Sequence, residues 1–158
     1  MCYSGESLIT NSTMRLFLFL ASLGLASATA FQDCGSLGTD VLFSVEGCSS
    51  PPCTLVRGET YLINFKFTSS VNSETLTVAA SANIGGIEIP WPGLDPDACK
   101  GVEGTENPCP IESGSHVDWS MEASVLKEYP KIITMVTFKL LDDNGDLQTC
   151  AKLPAQIV

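Results

Sequence analysis

From Tyr61 to Thr68 the chain alternates strictly. Tyr61, Ile63, Phe65 and Phe67 fall on one side, and Leu62, Asn64, Lys66 and Thr68 on the other. A period of two is the mark of a strand with one buried face. Residues 117–125 repeat it more cleanly, setting Val117, Trp119, Met121, Ala123 and Val125 against Asp118, Ser120, Glu122 and Ser124. Between Ile132 and Leu141 the chain is largely apolar and rich in β-branched residues, as expected of a strand lying centrally in a sheet. Shorter strands are predicted over 40–45, 75–84 and 147–153, the last continuing towards Val158. No segment gives a convincing helix. Turn residues fill the gaps, at Ser49-Ser50-Pro51-Pro52, Arg57-Gly58, Gly85-Gly86, residues 93–96 and Asp142-Asp143-Asn144-Gly145. The last is a hairpin signal, because Asn-Gly accepts the positive φ of a tight turn. Short strands punctuated in this way predict an all-β sandwich of two sheets.

The amino terminus reads differently. Met14-Arg15 opens a basic stretch, residues 16–25 are apolar except for Ser22 and Gly24, and Ala28-Thr29-Ala30 supplies a small-x-small signature. This is the pattern of a secretory signal, placed here as cleaved after Ala30. The apolar run is shorter than the about 20 residues a bilayer span needs, and no second run follows, so a soluble product is expected. Residues 1–30 are therefore an extension plus signal, starting at Met1 or Met14, and 31–158 form one domain of 128 residues. That segment contains no Asn-x-Ser/Thr, so no N-glycan is expected.

Charge narrows the partners. The net charge is −10, and it stays −10 after residues 1–30 are removed, since one acid (Glu6) and one base (Arg15) leave together. An acidic surface excludes nucleic acid, whose phosphates require a basic face, and disfavours electrostatic docking on anionic membranes. Six cysteines remain past the signal: Cys34, Cys48, Cys53, Cys99, Cys109 and Cys150. An even set in a secreted domain reads as a disulfide framework. Fifteen pairings are possible. Position favours local clips between Cys48 and Cys53 and between Cys99 and Cys109, with Cys34 and Cys150 at the two ends, without excluding the others.

Catalytic candidates are sparse. His116 is the single histidine, and no serine sits in a Gly-x-Ser-x-Gly elbow. A hydrolase built on His116 is held only as an alternative to a solvent-facing histidine at a strand start. Asp95, Asp97, Glu103 and Glu106 crowd around Cys99, but their spacing fits no calcium loop, and a solvated acidic loop is the expectation. Neither a metal nor a cofactor is expected, and the protein is read as no enzyme.

Several short motifs, in order along the chain, carry a resemblance. They are Asp33-Cys34-Gly35-Ser36, Cys48-x4-Cys53 with Arg57-Gly58-x2-Tyr61, and Ile89-Pro90-Trp91-Pro92 before Cys99-Lys100. Cys109-Pro110-Ile111, Glu128-Tyr129-Pro130, Leu141-Asp142-Asp143 and Leu153-Pro154-x-Gln156-Ile157-Val158 complete the set. Together they resemble the ML, or lipid-recognition, domain family, and within it the soluble Niemann-Pick type C sterol carriers and their invertebrate relatives. The resemblance implies an immunoglobulin-like β-sandwich of two antiparallel sheets that part to hold a lipid. It implies the pairings Cys34–Cys150, Cys48–Cys53 and Cys99–Cys109. It implies a sterol or fatty acid ligand, a membrane or membrane protein as acceptor, and a monomer that is secreted or resides in the lysosomal lumen. Family members also act as lipid-sensing or chemical-signal-binding modules in innate immunity and chemosensation, which is the alternative function.

The inward faces of the best strands carry Tyr61, Ile63, Phe65, Trp119, Met121, Val125, Ile132, Val136 and Phe138, the expected cavity wall. Ala123, Gly85 and Gly86 add little bulk there. The family's cavity mouth falls by position on Ile87, Ile89 and Trp91, facing Val125, Tyr129 and Pro130. Trp91 stands where the sterol carriers usually have Phe.

Overall fold

The structure, a computed structural model, describes residues 28–158. The extension and most of the expected signal, with Cys2, lie outside the described residues. Nine strands are found among them: β1 (Gln32–Asp33), β2 (Thr39–Val45), β3 (Cys53–Leu55), β4 (Thr60–Thr68), β5 (Thr77–Ile84), β6 (Ile87–Pro90), β7 (His116–Ser124), β8 (Ile133–Leu141) and β9 (Leu147–Ile157). A 3₁₀ turn, Ala98–Val102, lies between β6 and β7. None of the described helices is long and apolar enough to cross a membrane.

One sheet runs β1-β9-β8-β5-β6, with β3 added in parallel to the end of β9; the other runs β2-β4-β7. All remaining pairings are antiparallel. The strict alternation of 61–68 and 117–125 becomes the longest register of the smaller sheet, pairing Tyr61 with Ala123, Ile63 with Met121 and Phe65 with Trp119. The apolar run of 132–141 becomes β8, held between β5 and β9. The predicted strands stand within two residues of their expected starts.

Three strands escaped the sequence reading. β1 and β3 are too short to show a period. β6 follows Gly85-Gly86 directly as the second arm of a hairpin, and both glycines take the positive φ (63° and 89°) that a two-residue connection requires. Those glycines were expected to leave room in the interior. They form an exposed turn instead, with nothing around them.

The two sheets close on aromatic rings. Phe43 contacts Phe65 at a centroid distance of 4.8 Å and Phe138 at 5.7 Å, and Phe65 reaches Trp119 at 6.0 Å. Trp119 is 1% exposed, and its indole N–H donates to the Ala98 carbonyl at 2.9 Å. This contact needs Gly101, because a side chain there would collide with the Trp119 nitrogen. Three disulfides form, Cys34–Cys150, Cys48–Cys53 and Cys99–Cys109, in the pairing the resemblance implied.

Candidate functional site

The sheets do not pack uniformly. Near the β7–β8 connection they leave a void walled by Val45, Cys53, Leu55, Tyr61, Ile63, Trp91, Ala123, Val125, Val136, Phe138, Leu153 and Ala155. The wall is apolar, and in this closed form the void measures only about 10 Å³. That is the space of one water molecule, and an apolar hole of this size stays dry. The interior that the sequence was expected to prop apart is thus nearly shut, because the aromatic rings stack across it rather than hold it open.

Outside lies a much larger space. A groove of about 690 Å³ runs along the free edge of β7, floored by Val78, Leu94, Met121 and Leu126 and rimmed by Asp95, Asp97, Lys100 and Glu122. Trp91 and Ala123 line both the groove and the inner void. They are the partition between the two.

Trp91 is held from both sheets. Its backbone N–H donates to Ala80 of β5 at 2.8 Å, while its indole N–H reaches across to the Ser124 carbonyl of β7 at 3.2 Å. Its ring leans on Phe138 (6.0 Å) and meets Tyr129 edge-on (5.9 Å, 83°). The facing connection is fixed by Arg57. That guanidinium donates to the carbonyls of Lys127 and Tyr129 at 3.2 Å and to that of Val158 at 3.3 Å, clasping the 125–130 segment to the carboxyl terminus. Arg57 was read as part of a turn and of the motif Arg57-Gly58-x2-Tyr61, with no role of its own. Nothing in its spacing reveals that three carbonyls converge on it.

Of the expected site residues, Tyr61, Ile63, Trp91, Val125, Val136 and Phe138 wall the void. Phe65 is a core residue deeper in, and Trp119, though buried, lines the groove together with Met121. Tyr129 stands against Trp91, Ile132 packs half-buried on the core, and Pro130 is exposed on the connection. Ile87 and Ile89 lie on edge strand β6, 65% and 43% exposed. By register Ile89 opposes Ala82, which opposes Val136, so both isoleucines extend the interior face beyond the cover of β7. Val45, Leu55, Leu153 and Ala155 were not singled out. The alternation of β9 (Leu153, Ala155, Ile157 inward) was the available signal for the last two.

The two tyrosines of the site differ. Burial pushes both phenols above their ordinary pKa. The Tyr61 hydroxyl accepts from the Val56 N–H (2.8 Å) and donates to Glu59 (3.1 Å), whereas the Tyr129 hydroxyl is sealed from solvent without a partner.

Elsewhere the candidates resolve into ordinary surface chemistry. His116 is exposed at the start of β7, with Nδ1 2.9 Å from the Thr68 hydroxyl, which in turn reaches Asp40 at 3.4 Å. The hydroxyl lies between imidazole and carboxylate, the reverse of a nucleophile–base–orienter order. Lys100 engages Asp95 at 2.6 Å and Asp97 at 3.8 Å, so the acidic residues before Cys99 hold a lysine. Both partners lie in the open, and hydrogen bonding to Lys100 keeps Asp95 below the usual carboxylate range.

Fold and site define a class: a small disulfide-bonded, immunoglobulin-like β-sandwich whose apolar interior borders a surface groove at one edge. The chain belongs to the ML-domain family, whose model matches residues 28–157. It is 33% identical over 144 residues to NPC intracellular cholesterol transporter 2 of Bos taurus, covering 90% of this chain and 93% of that one. A crystal structure of a Niemann-Pick type C2 protein from Japanese carpenter ant superposes with a TM-score of 0.70 at 24% identity, over 82% of this chain and 99% of that one. Chicken MD-1 complexed with lipid IVa shares the fold more distantly, with a TM-score of 0.50 at 18% identity, covering 78% and 85%.

Proposed function

We propose that the chain is a soluble lipid carrier, secreted or lumenal, that binds a sterol or fatty acid between its two sheets and passes it on without chemical change. The observation that carries this is the shared partition: Trp91 and Ala123 separate a collapsed apolar interior from a groove of about 690 Å³. A groove of that size is ample for a drug-sized or sterol-sized molecule. Displacing Trp91 joins the two spaces. The bovine relative is by name a cholesterol transporter, and MD-1 was crystallised with lipid IVa, which supports a lipid as the ligand class.

Solvation supplies the driving force. Apolar ligand surface leaves water at about 25 cal/mol per Å², and an efficiency near −0.3 kcal/mol per heavy atom gives a sterol-sized ligand roughly −8 kcal/mol, about micromolar. The exposed Ile87 and Ile89 adjoin Trp91, and an apolar patch beside a mouth suits handover at a membrane or membrane-protein acceptor. The carrier acts as a monomer in this reading. A lipid A sensor is favoured less, since the rim lacks free base: the Lys127 stem lies over Gly58, and Lys131 borders a separate shallow groove.

The test is direct. The chain is secreted from insect cells, extracted with organic solvent and analysed by mass spectrometry. The delipidated protein is then titrated with a fluorescent sterol and a fluorescent fatty acid. Co-purified lipid and saturable one-to-one binding are expected. A protein that retains neither class, with or without His116-dependent esterase activity, overturns the reading.

A further inference from the structure

Among the described residues, the only buried side-chain oxygens or nitrogens without a hydrogen-bond partner are Tyr129 Oη and Thr149 Oγ1. Thr149 pairs with Leu140, towards the end of the sandwich remote from the void. Tyr129 is different. Its ring meets Trp91, the residue that walls both void and groove, and its backbone is fixed by Arg57. A sealed phenol without a partner is costly, because its hydrogen bonds to water are lost and nothing replaces them. Tyr129 lines neither void nor groove and is reached from both through its edge-on contact with Trp91, and the void itself offers no polar lining.

We infer that the Tyr129 hydroxyl is a head-group reader, donating its hydrogen bond to the hydroxyl or carboxylate of a single-headed amphiphile seated tail-first through the Trp91 opening. Burial and the neighbouring Glu128 charge raise the phenol pKa, so it remains protonated and able to donate at physiological pH. The inference rests on the carrier reading and sharpens it. A site built to bond a ligand O–H or carboxylate discriminates against the analogue lacking that group far better than an apolar wall separates two hydrocarbons.

Matched probes test it: cholesterol against cholest-5-ene, and oleic acid against 1-octadecene, each displacing a fluorescent sterol from the delipidated full chain and from Tyr129→Phe. The wild type is expected to prefer the headed member of whichever pair binds by about tenfold, and Tyr129→Phe to reduce that preference towards one while hydrocarbon affinity holds. An unchanged preference in Tyr129→Phe overturns the inference and leaves the carrier reading standing. Failure of the wild type to bind any of the four removes both.

A second observation is independent. Thr29 is 1% exposed. Its backbone N–H donates to the Phe43 carbonyl at 2.9 Å; its hydroxyl donates to the Cys48 carbonyl at 2.6 Å and accepts from the Val45 N–H at 3.1 Å. β2 is an edge strand, and this residue covers the polar groups at its end. Cleavage after Ala30 would discard it. Ala26-Ser27-Ala28 carries the same small-x-small signature two residues earlier. We propose that the signal is cut after Ala28, so that Thr29 is the first residue of the mature chain. Intact mass and amino-terminal sequencing of the full chain secreted from insect cells decide it. A start at Thr29 is expected, and a start at any other residue, Phe31 included, overturns it.

Discussion

Trp91→Phe tests the partition most sharply, because it keeps an aromatic plug and removes one hydrogen bond. In the closed form the indole N–H spans from the β5–β6 sheet to the Ser124 carbonyl of β7 at 3.2 Å. Phenylalanine cannot make that bond, yet it can still lean on Phe138. A solvent-accessible intramolecular hydrogen bond contributes about 0.5–1.5 kcal/mol net. If the bond exists only while the seam is shut, its loss raises the closed state relative to the opening transition by that amount. Opening then speeds up by about 2- to 13-fold at 25 °C, taking RT as about 0.59 kcal/mol. Stopped-flow mixing with a fluorescent sterol at rising ligand concentration reads this as the plateau rate, where opening limits uptake. The plateau is expected to rise within that range, and the thermal midpoint to fall by a few degrees, since the closed folded state is raised by the same amount. A plateau equal to or below that of the wild type would refute the latch and place the opening elsewhere.

Other consequences follow from particular contacts. Ala123→Phe puts a ring where about 10 Å³ is free; overpacking is expected to cost about 1–3 kcal/mol by urea denaturation and to abolish sterol uptake. Replacing Cys34 and Cys150 together by Ala opens a loop of sequence separation 116, which the chain-entropy estimate puts at about 4–5 kcal/mol, an upper figure read from the denaturation midpoint. Gly101→Ala collides with the Trp119 indole and disturbs its 2.9 Å bond to Ala98, so a loss above about 2 kcal/mol is expected, with altered near-ultraviolet circular dichroism. For Asp33, burial raises the pKa, but hydrogen bonds from Ser36 and Gly35 outweigh it and hold the carboxyl below its usual value. A lowered folded value means stability that is full above the unfolded pKa, about 4, and is lost as pH falls through the folded one. Denaturation midpoints from pH 2.5 to 7 are expected to fall less steeply below pH 4 in Asp33→Ala than in the wild type.

What the sequence made legible was what period two encodes. The faces of β4 and β7 could be read residue by residue, because each strand buries one side against the opposite sheet. β8 announced itself through its apolar run. The seam was harder, since alternation says which face a residue takes and not whether anything covers it. Met121 alternates inward like Trp119, and both line the groove beside edge strand β7, but Trp119 is buried whereas Met121 stays partly exposed. Ile87 and Ile89 share that fate on β6. Gly85 and Gly86 misled for the opposite reason: small residues suggest interior room, but adjacent positive-φ glycines suit a hairpin tip. The Arg57 clasp joins residues 70 to 101 positions away through backbone carbonyls, which carry no side-chain signature.

In the carrier reading the domain must open despite its staples, and the distribution of cross-links leaves one edge where it can. The two sheets are joined covalently or by ring stacking along most of their length: the Cys48–Cys53 clip binds the end of β2 to β3, and the Phe43–Phe65–Phe138 cluster fills the middle. At the groove edge the connection thins. β6 and β7 are not hydrogen-bonded to one another, so no ladder has to be broken between them. The polar contact from Trp91 across this edge is a single bond to Ser124, and the rest is apolar surface that a lipid tail can replace like for like. Removing Trp91 from its bed therefore exposes apolar wall only until the ligand covers it, and the aromatic contacts given up with Phe138 are regained against the guest. The facing connection need not move, because Arg57 holds it to the carboxyl terminus. In the carrier reading, opening therefore falls on the β6 side, where the hairpin tip has no neighbours, while β5 stays in its ladder with β8.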